Sequence, residues 1–467
     1  MGSMPDCGAF GSRGYPPRSA YLHVPFCHRR CFYCDFPVVP LGDRAGGEAW
    51  APGSRSIAAY LVLLEREIAL APSGPPLSTV YVGGGTPSLL TPEQIGALLA
   101  GLRARFGLAP GAEITLELDP ASFDQQRLQG YLEAGVNRVS LGGQSFDDQV
   151  LEGLGRRHRR ADLLEAAHWL AQACRSGALG SWSLDLIQGL PALGEGASGE
   201  GDPGEGAPGS GPMAADQAKA HWQGQLRQAV ALRPPHLSVY DLSIEEGTVF
   251  ARRLQRGELV LPDGDLGADL LELSWQTLAA AGYGHYEISN FALPGHASRH
   301  NRAYWSGAGW WGFGMGATAA PWGERIARPR TREAYAAWLA EASEHQPPLP
   351  AAQPGQGMPL DERLMVGLRR REGVALGRLL FQQGWAQPSV AKAVQQLRQR
   401  LEPCLAAGWL VIEDDRWRLS DPAGLALSNG VLRELLAWCQ EQPDGLAPQS
   451  SGAGLRPRAP GPGSGEG

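Results

Sequence analysis

The sequence predicts an α/β protein in which a parallel sheet of six strand–helix units is followed by a smaller, mostly helical unit. Three observations predict it. Between residues 20 and 250, short β-branched or apolar runs ending in turn residues alternate with helical patterns, the rhythm of right-handed βαβ crossovers and parallel pairing. Beyond residue 360 that rhythm gives way to helical stretches and one hairpin pattern. Glycine (63 residues) and proline (37) make up about a fifth of the 467 residues, and the glycine excess concentrates at 192–212 and in the tail, apart from the expected strands and helices.

The expected strands are 21–26, 79–83, 113–118, 138–142, 181–189 and 236–243, with crossover helices at 56–71, 92–105, 123–134, 161–175 and 215–231. Six units are fewer than the eight of a closed barrel, which leaves an open, partial barrel or a doubly wound sheet. In both, ligands sit at the C-terminal ends of the strands. The C-terminal part reads as two helical stretches, two short strands joined at Asp414-Asp415, and a closing helix at 428–440, a winged-helix-like order. The expected division is an N-terminal extension at 1–19, a core at 20–250 with a Gly-rich insertion at 192–212, a core extension at 251–355, the winged-helix-like domain at 356–441 and a tail at 442–467. The insertion and the tail cannot bury enough apolar surface to offset chain entropy and are expected to be unstructured.

Composition excludes several classes. Lys+Arg 41 against Asp+Glu 48 gives a net charge of −7, which argues against a phosphate-backbone binder, so no nucleic-acid partner is expected. Seven cysteines and an N-terminus without the apolar core of a signal peptide argue against a disulfide framework and for a reducing, cytoplasmic setting. No stretch reaches the roughly 20 apolar residues of a membrane span. The best candidate, 56–71, is interrupted by Glu65, Arg66 and Glu67, leaving room only for peripheral membrane contact.

The first strand runs into Cys27-His28-Arg29-Arg30-Cys31-Phe32-Tyr33-Cys34, a C-x3-C-x2-C set. Three thiolates on one loop can each take a different iron of a [4Fe–4S] cube, because softness and negative charge suit iron–sulfur centres. One iron then keeps an open coordination site, as a reactive metal centre requires. Structural zinc is the alternative, with His23 or His28 as fourth ligand, although zinc arms are usually two separated pairs.

C-x3-C-x2-C after a first strand resembles the radical S-adenosylmethionine (SAM) superfamily. YLHVPFCHRRCFYCDF, YVGGGTPS, LELDP, SLGGQSFDD, LGRRH, DLIQGLP and YDLSIEEGTVF, in this order, resemble its oxygen-independent coproporphyrinogen III oxidase-like family across nearly all of residues 20–430. The resemblance implies a partial (β/α)6 barrel of the radical SAM type. It makes Cys27, Cys31 and Cys34 the cluster ligands and puts Gly84, Gly85 and Thr86 at the methionine end of SAM. It places Glu117, Gln144, Arg156 and Asp185 around SAM's methionine, ribose and adenine, with Tyr21 and Tyr33 beside the cluster. The Gly-rich strand end by itself could suit a phosphate, but the P-loop lysine is missing. Glycine at position 143, where the family has valine before the glutamine, is expected to loosen local packing.

Two features choose a branch. The family's oxidases carry a further cysteine two residues after the third ligand, where this chain has Phe36. His300-Asn301-Arg302-Ala303-Tyr304-Trp305 is an H-N-x-x-Y-W motif, which resembles the signature of the family's heme chaperone branch. This implies a heme-binding protein that passes heme to an apo-haemoprotein, with His300, Tyr304 and Trp305 as heme contacts. The alternatives are radical oxidative decarboxylation of porphyrinogen propionates by an oxidase, and a zinc-binding module with a DNA-contacting winged helix.

Overall fold

The computed structural model describes residues 17–191, 214–342 and 357–442. The expectations for the 192–212 insertion and for nearly all of the 1–19 and 442–467 segments fall outside the described residues.

All six expected strands form: β1 (Ser19–Val24), β2 (Leu77–Gly84), β3 (Leu108–Leu118), β4 (Arg138–Gln144), β5 (Ser181–Gln188) and β6 (His236–Asp241). They lie side by side in sequence order and every neighbouring pair is parallel. Three further strands were not legible: β7 (Gly284–Glu287), β8 (Asn290–Ala292) and β9 (Trp311–Phe313). Segments of three or four residues are too short to show a period. β9 adds parallel to β1, while β8 and β7 add antiparallel beyond β6, so the order is β9-β1-β2-β3-β4-β5-β6-β8-β7.

Side chains alternate along these strands. One face carries Leu22, Val82, Leu116, Leu141, Leu184 and Leu237, all fully buried, against the crossover helices. Helix α1 (Ser54–Leu70) answers with Ile57, Tyr60, Leu61, Leu64 and Ile68, a helical stripe. Helix α2 (Pro92–Phe106) starts at a capping box, in which the Gln94 amide donates to Thr91 Oγ1 (3.3 Å) and the Thr91 amide to Gln94 Oε1 (2.9 Å). The other face is polar: Tyr21 on β1, Thr79 and Tyr81 on β2, Thr115 and Glu117 on β3, Ser140 on β4, Asp185 on β5, Tyr240 on β6.

Glu67, which in the sequence looks like a surface charge interrupting α1, is fully buried and pairs with buried Arg328 at 2.6 Å. Its Oε2 also accepts from the Tyr335 hydroxyl (2.6 Å) and the Gly314 amide (2.7 Å). The carboxylate thereby fixes the chain after β9 against α1.

A second core, built on Leu364, Leu380, Leu397, Trp417, Val431 and Leu435, holds the C-terminal elements. A helix (Leu360–Leu368), the two-residue strand Val374–Ala375 and two helices (Leu376–Gln382, Gln387–Arg400) precede the hairpin Leu410–Glu413/Arg416–Leu419 and the helix Ser428–Glu441. The hairpin turns at Asp414, with φ 55°. This unit meets the sheet where His285 Nδ1 lies 3.1 Å from Asp421 Oδ1 and where the Arg371 amide donates to Tyr286 O (3.1 Å), and it meets a helix between β8 and β9 where Arg302 pairs with Glu372. No helix among the described residues is long and apolar enough to cross a membrane.

Candidate cofactor site

After β1 the chain makes a two-residue parallel pairing, Phe26–Cys27 with Val39–Pro40, which closes the cysteine loop on itself. The loop is pinned at its middle, because the Phe32 amide donates to Leu154 O and the Phe250 amide to Phe32 O, both at 3.0 Å. Cys27, Cys31 and Cys34 all line one cavity of about 420 Å³ at the C-terminal ends of the strands. Burial pushes the Cys27 thiol up to about 12 and raises that of Cys34, so a metal that binds there displaces protons.

Across the cavity stands Gly83-Gly84-Gly85. A Cβ on Gly85 would lie 2.7 Å from Phe26 O and 2.8 Å from Cys27 Sγ, and one on Gly83 would lie 2.9 Å from Glu117 Oε1. Gly84 adopts φ 124°, a region open to glycine. The glycines are therefore explained first by the close approach of β2's end to the cysteine loop. Glu117 is clamped there, since its Oε2 accepts from the Gly84 amide (3.0 Å) and its Oε1 from the Tyr81 hydroxyl (2.8 Å). Burial nevertheless pushes its carboxyl up to about 7.

Arg156 reaches into the same space. Its Nη2 donates to Asp119 Oδ2 (2.7 Å) and Gly142 O (2.8 Å), and Nη1 lies 3.8 Å from Cys31 Sγ. Burial would raise the Asp119 carboxyl, but Arg156 and then His158 outweigh it and hold the group below the usual carboxylate range. Gln144 adopts φ 61° at a β-bulge opposite β5, an uncommon backbone for a residue other than glycine. Asp185 Oδ2 accepts from the Ser140 hydroxyl at 2.9 Å. Its Oδ1 and Arg156 Nε are buried without a hydrogen-bond partner, and both residues line the cavity, a lining that suits a polar small molecule.

The structure thus brings together, around one cavity, the three cysteines, Tyr33, Gly84, Gly85, Thr86, Glu117, Gln144, Arg156 and Asp185. Tyr21 is not among the lining residues: its hydroxyl lies 2.9 Å from His23 Nδ1, beneath the cavity. His23 Nε2 faces Pro37 O at 3.2 Å, so this ring has no nitrogen left to serve as a fourth zinc ligand. Among the described residues no three His, Cys, Asp or Glu donors converge on one ion position. The loosening expected at Gly143 does not occur. A Cβ there would lie 2.7 Å from Leu184 and 3.1 Å from Leu163, so leucines already fill the space of the family's valine.

The H-N-x-x-Y-W motif lies elsewhere. It forms the helix Arg299–Trp305, capped by Ser298, at the N-terminal ends of β2 and β3, where the Arg299 and His300 amides donate to the Glu113 carboxylate (3.1 and 2.9 Å). His300 is fully buried, with Nδ1 2.8 Å from Thr79 Oγ1 and Nε2 2.8 Å from the Tyr304 hydroxyl. Tyr304 and Trp305 pack against Trp310, Met358 and Val366. In this arrangement both His300 nitrogens face protein hydroxyls.

Sequence reasoning missed Tyr81 and the seating of His158, whose Nε2 faces Gly143 O at 3.0 Å. Tyr81 was detectable by alternation, two residues before Gly83 on the polar face. His158 gave no signal beyond its place in a basic run.

Residues 21–191 match the radical SAM superfamily. The heme chaperone HemW of Synechocystis is 38% identical over 445 residues, covering 91% of this chain and 98% of that protein. The chain belongs to the heme chaperone HemW family. Another member, from Escherichia coli, is 34% identical and covers 90% of this chain and 99% of its own length. The fold is that of Escherichia coli coproporphyrinogen III oxidase (HemN), a radical SAM enzyme, with a TM-score of 0.67 over 91% of each chain at 20% identity. The superfamily's cofactors are a [4Fe–4S] cluster and SAM. The sulfur-lined cradle and the unpartnered polar atoms of this HemW-family chain fit both.

Proposed function

We propose that this chain is a heme chaperone, which holds a [4Fe–4S] cluster on Cys27, Cys31 and Cys34 and SAM in the adjoining cavity, and passes bound heme to an apo-haemoprotein in the cytoplasm. The observation that carries this reading is identity of 34% and 38% to proteins named heme chaperones across nine-tenths of the chain. Phe36, half exposed at the cavity rim, agrees with it, because the oxidase branch has cysteine there.

The residues divide the work. The three thiolates would hold the cluster, and SAM would bind beside it in the same cavity. Arg156 keeps positive charge beside Cys31, Glu117 presents a fixed carboxyl group, and Asp185 adds a polar wall to the cavity. The cluster supplies one-electron chemistry when bound.

Spectroscopic titration of the anaerobically reconstituted chain tests it: saturable heme binding, followed by transfer of the absorbance to an added apo-haemoprotein, is expected. Coproporphyrinogen III converted at catalytic turnover, with reductant and SAM, would establish the oxidase instead. Zinc without iron or acid-labile sulfide would return the metal-binding module.

A further inference from the structure

We propose that His300, held by Tyr304, is a positioning residue for the SAM cavity: it supports the Tyr81 ring, which fixes Glu117. This rests on the SAM reading of the cavity.

The connection is continuous. The Ser298-capped helix hangs its first amides on Glu113 of β3, which sets His300 at the N-terminal end of the polar face. Both ring nitrogens are then committed, to Thr79 of β2 and to Tyr304 one helical turn on. A ring held at two points cannot turn, and it lies against Tyr81 with centroids 5.2 Å apart. Thr79 and Tyr81 are two residues apart on one strand and share its polar face. Tyr81 carries the constraint upward, donating at 2.8 Å to one oxygen of Glu117. The other oxygen accepts from Gly84, next to the glycine that presses on Cys27 Sγ. The motif thus closes the floor beneath the cavity and determines how high Tyr81 stands. With His300 removed, Tyr81 can sink and Glu117 loses one of its two protein donors.

SAM affinity by calorimetry, together with the change that SAM causes in the electron paramagnetic resonance signal of the reduced cluster, tests this on full-length reconstituted protein. His300→Ala and Tyr81→Phe are each expected to weaken SAM binding by roughly five- to tenfold. Iron and sulfide per chain should stay at the wild-type level, and so should heme affinity. Because both act through one contact, the double variant should bind SAM within about twofold of the weaker single. Should alanine at 300 prevent folding, His300→Gln removes the ring while keeping a donor and an acceptor, and carries the same expectation. SAM affinity within twofold of wild type in either single variant, or losses that multiply in the double, would overturn the inference. A heme defect with intact SAM binding would overturn it too and restore His300 as a cargo contact. Wild type that binds no SAM would sink the cofactor reading itself.

Discussion

Arg156 joins three parts of the site: the end of β3 through Asp119, the bulge of β4 through Gly142 O, and the cysteine loop through Cys31. The ion pair is mostly shielded, with side-chain exposures of 13% and 16%, so removing one partner leaves a charge without compensation. Asp119→Asn is expected to cost ~3 kcal/mol in anaerobic urea unfolding and to weaken SAM binding; a loss below ~1 kcal/mol would show the pair to be solvent-screened. Glu287 allows a test by pH. Burial pushes its carboxyl up to about 7, with the Asn290 and Ser289 contacts only partly offsetting this. The folded state then holds a proton that the unfolded chain releases near pH 4.5, so this contribution to stability is full below that pH and is lost as pH rises to about 7. Unfolding free energies from urea titrations at pH 5 and pH 8 should differ by up to ~3 kcal/mol from this group, and Glu287→Gln should remove that part of the difference. The cysteines and glycines could be read directly because their chemistry is contiguous. Glu67, Asp119 and Glu287 could not, since whether a carboxylate is buried depends on chain that returns from far away.

Between elements, the Glu67–Arg328 pair joins α1 to the segment after β9, a separation of 261 residues. Glu67→Ala would strand a buried guanidinium and is expected to lower stability by ~3–5 kcal/mol; an unfolding free energy within ~1 kcal/mol of wild type would contradict the buried pairing. Gly143 is a case of compensation. The family's valine is absent, but Leu184 and Leu163 occupy its volume. Gly143→Val should therefore overpack the β4–β5 layer and cost ~1–3 kcal/mol, rather than tighten it, and a rise in thermal midpoint would show the site to be underfilled. The six long strands and their helices were legible because periods of 2.0 and 3.6 repeat over enough residues. The short strands β7, β8 and β9 are formed by pairing with neighbours and carry no period of their own.

Across the whole molecule, the parallel sheet separates an apolar face covered by helices from a polar face with two ends. The end at the strands' C-termini holds the cysteines, and the opposite end is covered by the helix Arg299–Trp305. A ligand that binds only the folded chain adds its binding energy to stability. Anaerobic removal of iron with a chelator is thus expected to lower the thermal midpoint by several degrees and abolish SAM binding, with both restored on reconstitution; retained SAM affinity in the iron-free chain would contradict the shared cavity. By itself the sequence determined the cysteine motif, the six-unit rhythm and the family, because each is written in neighbouring residues at fixed spacing. Only the tertiary structure decided that Glu117 is clamped between Tyr81 and Gly84, that Gly143's space is already filled, and that His300 faces Thr79 and Tyr304 rather than open cavity. Those outcomes depend on which strand ends meet, and His300 and Thr79, 221 residues apart in the chain, become neighbours only once the sheet has formed.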